Sequence, residues 1–377
     1  MDRNSEAYGV VEWPGAVQPR VVARMGDSVL DLAGALERVG SELAVLVRGP
    51  SLDELLRAGP EAWAGLRATL ATLDPDPALL PAAAVRPVLP FTVADYVDFY
   101  SSEQHATNLG TMLRPNQPPL LPNWRHLPVG YHGRSGTVAV SGTPVRRPSG
   151  QRKEGPAYGP TRKLDIEAEV GYVVGVPSEL GRPVRAADWR EHVFGVVLVN
   201  DWSARDIQAW EAQPLGPFLG KSFLTSVSPW VVPLAALEPA FVEPVRQDPE
   251  PLEYLRPAGP ALALDLEIRL NGHLVSRPRS AGLYWTPAQQ LAHLTANGAS
   301  LRTGDLYATG TVSGSEPDSR GSLIELSWNG ESPLSLPDGT SRTFLEDGDT
   351  VSITATAPGP RGTRVDLGAV TGTVLPA

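Results

Sequence analysis

"LDIEAEV", residues 164–170, alternates apolar and acidic side chains with a period of two. In a β-strand successive side chains face opposite ways, so Leu164, Ile166, Ala168 and Val170 share one face and Asp165, Glu167 and Glu169 the other. The apolar face belongs against a core. The acidic face is the problem, because like charges at neighbouring same-face positions raise one another's pKa and cost stability. Either that face lies open to solvent, or a cation or base neutralises it.

Outward from this stretch, the chain reads as strand-rich. Further strand-like runs fall at 165–175, 193–200, 261–270, 322–328 and 349–355. The Gly and Pro residues, 37 and 38 in number, punctuate these runs without a repeat period, as many short strands and long loops require. Two helices are predicted in the second half. "SARDIQAWEAQ" opens with Ser203 and Asp206 in capping-box spacing, and "TPAQQLAHLTANG" offers Thr286 as cap, Pro287 at the first helical position and Gly298 as a stop. A third helix is predicted from Thr92 to about residue 104, with Val93, Tyr96, Val97 and Tyr100 at helical spacing. Strands at irregular intervals with few helices point to a large β domain and away from a doubly wound sheet. No P-loop or dinucleotide fingerprint is present.

Residues 1–88 form a region of their own. Short strands surround a turn at Gly26 and Asp27, a helix is broken at Gly59 and Pro60, and the Pro-rich run "DPDPALLPAAAVRPVLP" connects to the remainder, 89–377. At 377 residues, the length fits two or three domains. A hydrophobic fraction of 42% and a charged fraction of 20% are those of a globular protein. The net charge of −10, without a long basic tract, argues against a nucleic-acid partner but leaves room for an anionic substrate in a locally positive pocket. The absence of cysteine excludes disulfides, thiolate nucleophiles and Cys-based zinc sites. No apolar run reaches 18 residues and no signal-peptide pattern opens the chain, so a cytoplasmic protein with no membrane partner is expected.

The residues that carry chemistry are mostly carboxylates. An oxygen-only site for a hard divalent cation needs several of them to converge. Glu167 and Glu169 supply two from one strand face. Asp201 ends the apolar strand "FGVVLVND", and Asp98 lies on the polar side of the predicted 92–104 helix. His105 stands seven residues beyond Asp98, two turns if that helix continues, and imidazole is the usual base near neutral pH. Arg205, Gln208 and Ala212 share one face of the next helix, and Lys221 lies between Gly220 and Ser222. Taken singly, each has an ordinary structural reading: a solvated carboxylate, a packed histidine, a surface lysine.

The runs "DYVDFYSSEQHATNLGTMLR" (95–114), "LPNWRHLPVGYHGR" (121–134), "SGTPVRRPSGQ" (141–151), "LDIEAEVGYVVG" (164–175), "HVFGVVLVNDWSARDIQAWE" (192–211), "PLGPFLGKSF" (214–223), "QQLAHLTANG" (289–298) and "GSLIELSWNG" (321–330) together resemble the fumarylacetoacetate hydrolase family. The resemblance runs from about residue 90 to the C-terminus, and the N-terminal region matches that family's small barrel in size and place. It implies a mainly β fold, a small N-terminal SH3-like β-barrel with a large C-terminal β-sandwich or β-roll of the fumarylacetoacetase type. It implies hydrolysis of the C–C bond of 4-fumarylacetoacetate, the step that ends tyrosine and homogentisate breakdown. It assigns a Mg²⁺ or Ca²⁺ cofactor to Asp98, Glu167, Glu169 and Asp201, and leaves Asp165 paired elsewhere. His105 would be the base, oriented by Glu325. Arg114, Gln208 and Lys221 would hold substrate carboxylate and oxyanion, with Tyr100, Tyr131 and Thr311 in the pocket, while Arg205 and Asp206 would be structural. A homodimer is implied, with "AYGPTRK" and the run near Trp210 as surface candidates.

One position departs from the family pattern: a second substrate-facing tyrosine would fall at Ala212. That departure keeps open a different acylpyruvate or β-diketone acid as substrate. A reading from another class, a β-sandwich binding protein whose acidic strand holds structural Ca²⁺, accounts for the carboxylates but not for His105, Glu325, Arg114 and Lys221 together.

Overall fold

The computed structural model describes residues 7–73, 79–152 and 157–377. The first part of the Pro-rich connection, 74–78, lies outside the described residues. The fold is mainly β, and its centre is the strand Val193–Asp201, all nine residues of which are buried. Its side chains alternate between two cores. Val196 and Leu198 join the larger one, and Val197 and Val199 the other. A strand covered on both faces needs no polar side, so "GVVLV" can be a continuous apolar run.

Around this strand runs a large sheet in the spatial order Leu80–Pro81, Ser28–Asp31, Arg20–Met25, Ala7–Glu12, Trp230–Pro233, Val193–Asp201, Ala168–Val174, Leu306–Ala308, Tyr96–Phe99 and Gly130–His132. The N-terminal strands therefore join the C-terminal ones edge to edge, with Tyr8 opposite Val231 and Gly9 opposite Trp230. A second sheet carries His273–Ser276, Asp265–Leu270, Thr350–Pro358, Arg364–Leu375 and Val145–Arg146. Leu266, Ile268, Ile353 and Val370 from it share one core with Val170, Val196 and Leu198, so the two sheets pack face to face. The other face of the large sheet is covered by the N-terminal region, where Leu55, Leu66 and Val10 pack on Val197 and Leu306.

Local signals held where the segment's own chemistry was sufficient. Gly59 has φ +86 and separates the helices Asp53–Arg57 and Pro60–Thr72. The helix Pro287–Thr295 has the full capping box, with Thr286 and Gln289 bonded reciprocally, and Gly298 (φ +90) ends the segment. Three expectations are corrected. Residues 96–99 form a strand, Tyr96–Phe99, and the helix starts only at Glu103, capped by the Ser102 side chain accepting from the His105 N–H. Of the apolar residues at helical spacing, Tyr96 and Val97 are buried in the strand while Val93 and Tyr100 flank it half-buried, and their β-branched and aromatic character was the better guide. Ser203 does not cap its helix. Its hydroxyl donates to the Asp201 carbonyl, while the Asp206 carboxylate accepts from the Thr161 hydroxyl and the Arg162 N–H. Residues 323–326 are a helical turn, Leu323–Leu326, in place of a strand.

The helix Glu103–Leu113 is seated by contact with a loop. A Cβ at Gly110 would stand 1.9 Å from the Pro119 carbonyl oxygen, which also accepts from Arg114 Nη2 at 2.9 Å. Gly110→Ala gains about 1 kcal/mol of helix propensity but must push that backbone away. We expect a lower urea midpoint for the variant. An unchanged or raised midpoint would show that the loop yields freely.

Candidate active site

Strand ends bring the acids together. Asp98 lies on Tyr96–Phe99, opposite Ala308 on one side and Tyr131 on the other. Glu169 lies on Ala168–Val174 opposite Val199, and Asp201 is the last residue of its strand. The stretch 164–170 is not one strand. Leu164–Asp165 pairs with Ser203–Ala204, the chain breaks at Ile166 and Glu167, and pairing resumes at Ala168. The break turns each acid toward a different partner, and all three are buried.

Asp165 is neutralised by Arg205, whose Nε donates to it at 2.8 Å. It also accepts from the Leu323 and Ile324 N–H groups at 2.7 and 3.1 Å, and so caps the turn that carries Glu325. That long-range cap makes 323–326 helical. Glu167 accepts from Lys221 Nζ at 2.6 Å and Arg205 Nη1 at 2.7 Å. Burial pushes its carboxyl up, but the ammonium and guanidinium outweigh burial and hold it below the usual carboxylate range. Glu169 has neither kind of partner. Both of its buried oxygens, and Asp98 Oδ1, meet no hydrogen-bond partner.

These two carboxylates and Asp201 are pushed upward, by burial first, and in each case by neighbouring carboxylates as well. One oxygen from each of Asp98, Glu167, Glu169 and Asp201 lies within 4.8 Å of the others. Asp201 has further donors in the Tyr131 hydroxyl at 2.9 Å, Lys221 Nζ at 2.6 Å and the Thr225 hydroxyl at 3.2 Å. A buried acid without a partner costs several kcal/mol, and a donor set made only of oxygens suits a hard cation. The orphaned oxygens of Glu169 and Asp98 are where such an ion would be felt. These four residues fit a divalent cation.

His105 borders this cage. Its Nδ1 lies 2.7 Å from Glu325 Oε2, and the same carboxylate accepts from the Ser313 and Ser322 hydroxyls at 2.8 and 2.7 Å and from Asn108 Nδ2 at 2.9 Å. Burial raises the Glu325 carboxyl, but His105 and these donors pull it down to about 2. An ionised carboxylate only accepts, so Nδ1 carries a proton, and in the neutral imidazole Nε2 is then the acceptor. Nε2 is 3.1 Å from the Thr311 hydroxyl and 3.7 Å from Glu167 Oε1. The Tyr100 ring stands edge-on to the imidazole at 5.4 Å.

Cage and imidazole open on one cleft of about 520 Å³, lined among others by Tyr100, Arg114, Tyr131, Gln208, Ala212 and Lys221. Arg205, Gln208 and Ala212 share the cleft-facing side of the helix Arg205–Glu211 and its cap, as their spacing predicted. Thr311 is buried and does not line this cleft; its hydroxyl lies against His105 Nε2. Arg205 does more than brace the fold, since it lines the cleft and pairs with Glu167. Asn108, Ser313 and Ser322 were not anticipated. Asn108, three residues after His105 on the same helix, carried a readable signal, whereas the serines are placed only by the fold.

Two expectations about this centre can be measured. Glu169→Gln removes a repelled buried charge, so the variant should take up no divalent metal while its metal-free form melts several degrees above metal-free wild type. A variant that still binds metal, or melts lower, would mean that the Glu169 carboxylate is held by something other than an ion. The pH dependence follows from the signs. The raised acids bind protons in the folded, metal-free state above the ordinary carboxylate range, so falling pH should release metal earlier than from an exposed carboxylate site. Glu325 has the opposite sign. Its contribution to stability is complete above about 4.5 and is lost as pH falls toward about 2. Metal content and melting followed from pH 8 to 3 should therefore fall in that order.

The chain was compared with known proteins. The family model described as fumarylacetoacetate (FAA) hydrolase C-terminal matches residues 95–375, and that described as fumarylacetoacetase N-terminal matches residues 7–87. The chain is 45% identical to the fumarylacetoacetase of Homo sapiens over 98% of its own length and 95% of the human protein. It is 42% identical to that of Arabidopsis thaliana over 98% and 94%. Among solved structures it is similar in fold to a fumarylacetoacetate hydrolase from Exiguobacterium antarcticum, with a TM-score of 0.60, 18% identity, and coverage of 99% of this chain and 100% of that one. It is also similar in fold to a maleylpyruvate hydrolase from Sphingobium sp. SYK-6 in complex with manganese(II) ion and pyruvate, with a TM-score of 0.55, 18% identity, and coverage of 98% and 99%.

Proposed function

The chain belongs to the fumarylacetoacetate hydrolase family, and from that premise we propose that it hydrolyses 4-fumarylacetoacetate to fumarate and acetoacetate, the last step of tyrosine and homogentisate breakdown. The observation that carries this reading is the juxtaposition in one cleft of a four-carboxylate cage and a carboxylate-oriented imidazole. A binding protein with a structural ion would have no use for the second. The ion we assign to the cage is Mg²⁺ or Ca²⁺, held by Asp98, Glu167, Glu169 and Asp201. When bound, it supplies Lewis-acid polarisation to a chelating 1,3-dicarbonyl.

The chain's own groups divide the remaining work. His105, with Glu325 fixing its Nδ1 proton, accepts a proton from water at Nε2 as the oxygen attacks the fumaroyl carbonyl, the ketone conjugated to the alkene. Lys221 has three N–H donors, of which Glu167 and Asp201 take two, so one remains for the oxyanion, with Gln208 beside it. His105 returns its proton to the carbon of acetoacetate as the C–C bond breaks. Arg114 holds a substrate carboxylate, Tyr100 and Tyr131 shape the pocket, and the Thr311 hydroxyl lies against His105 Nε2. Ala212, which presents no donor to the cleft, favours a second reading: another acylpyruvate or β-diketone acid taken by the same machinery.

We assign residues 1–88 to the family's SH3-like barrel domain and 89–377 to the catalytic domain. Among the described residues no helix is long and apolar enough to cross a membrane, and we take the enzyme to act in the cytoplasm. We also take it to act as a homodimer. Tyr158, Trp210, Leu215 and Phe218 expose apolar surface, and the Trp210 indole reaches Gln151 on the hairpin that bears Tyr158.

The deciding assay is turnover of fumarylacetoacetate with and without EDTA, followed by loss of the enol absorbance. Turnover of a shorter acylpyruvate in its place would move the assignment to the second reading. His105→Ala should retain metal and lower kcat by about 10²- to 10⁴-fold. Loss of metal in that variant would count against a role as base. Light scattering should give twice the chain mass, and a monomer at working concentration would remove the dimer.

A further inference from the structure

The cleft presents four cationic side chains: Arg114, Lys163, Arg205 and Lys221. Two are spent on the protein's own acids. Arg205 pairs with Asp165 and Glu167, and Lys221 with Glu167 and Asp201. Arg114 and Lys163 pair with no carboxylate among the described residues. Arg114 gives Nη2 to a backbone carbonyl, and its Nε is buried without a partner. Lys163 gives one N–H to the neutral amide oxygen of Asn329 at 2.9 Å and stands 5.3 Å from the centre of the Phe344 ring. An ammonium has three donors, so Lys163 keeps two. Asp206, which also lines the cleft, accepts from the Thr161 hydroxyl and from the N–H groups of Arg162 and Ile207.

Lys163 is held in place from two sides. Its carbonyl accepts from the Arg205 N–H at 2.9 Å, tying it to the start of the helix that carries Gln208. Its ammonium is tied to Asn329, which follows the Glu325 turn in a left-handed conformation, with φ +49 at Trp328, +55 at Asn329 and +95 at Gly330. Two successive non-glycine residues in that region are uncommon and costly, and such strain persists where the surroundings impose it. The turn directs an amide oxygen at the lysine and leaves the charge unneutralised. A substrate with a carboxylate at each end of a 1,3-diketone calls for two unspent cations in one cleft.

We propose that Lys163 is a substrate-binding residue that takes the substrate carboxylate not taken by Arg114. This rests on the diketo-diacid reading of the site. The role differs from that of Lys221, whose ammonium is committed to the cage, and Ala212 offers no competing donor.

The test uses the metal-loaded enzyme with fumarylacetoacetate and its two monomethyl esters. Wild type should discriminate against both half-esters. Lys163→Met should raise KM for the diacid roughly 10- to 100-fold, the range for losing a charge-assisted hydrogen bond, with kcat within about twofold. It should also lose discrimination against one half-ester only, with Arg114→Met losing it against the other and Lys163→Arg restoring much of the wild-type KM. Equal weakening of the diacid and both half-esters in Lys163→Met would assign the lysine a structural role and overturn the proposal. Wild type that ignores esterification at one end would overturn it without any variant. Failure of wild type to turn over the diacid at all is a separate outcome, which strikes the functional reading itself.

Discussion

Six carboxylates, Asp98, Asp165, Glu167, Glu169, Asp201 and Glu325, are buried around one end of the central sheet, against two buried cations, Arg205 and Lys221. That imbalance is the constraint on which the site depends. Charge cannot be left unpaired in a low-dielectric interior without a large cost, so the surplus has to be met by protons, a metal ion or an oriented imidazole. The structure divides the acids accordingly: Asp165, Glu167 and Asp201 face the cations, Glu325 faces His105, and Glu169 and Asp98 keep oxygens that no protein donor reaches. A site so organised is costly until an ion is bound, so metal binding would add to the stability of the fold.

Asp165 links the two halves of the chemistry. One carboxylate fixes Arg205, which leans on Glu167 in the cage, and caps the turn that presents Glu325 to His105. The cage and the imidazole are thus both tied to Asp165. Ser313 and Ser322 complete the arrangement by occupying the Glu325 oxygen that also meets Nδ1, which leaves the carboxylate no freedom to rotate away.

The cleft outside this centre is electrostatically distinct from it. Asp98 and Glu167 line its inner part, whereas Arg114 and Lys163 bring to its wall positive charge that pairs with no carboxylate among the described residues. A chain of net charge −10 can accept an anion on this basis, because affinity depends on the local charges facing the ligand and not on the total.

The sequence by itself determined the elements whose reasons are local. The continuous apolar run of 193–199 marked a strand buried on both faces, Thr286, Pro287 and Gly298 marked a helix with its ends, and Gly59 marked a break. The alternation in 164–170 announced a charge problem, and the motifs around it nominated the four acids, His105 and Glu325. Tertiary structure decided what came of those charges. Asp98 reached the cage from a strand and not from a helix, because residues 96–99 gained a sheet neighbour at 306–308 that no periodicity reveals. Residues 323–326 became a helical turn because Asp165, far away in sequence, supplied the cap. Asp165, Glu167 and Glu169 look equivalent in sequence, and their separate fates were set by whether the fold brought Arg205, Arg205 with Lys221, or no protein cation to each. Ion pairing and burial depend on distances between segments remote in the chain, and a linear pattern carries no record of them.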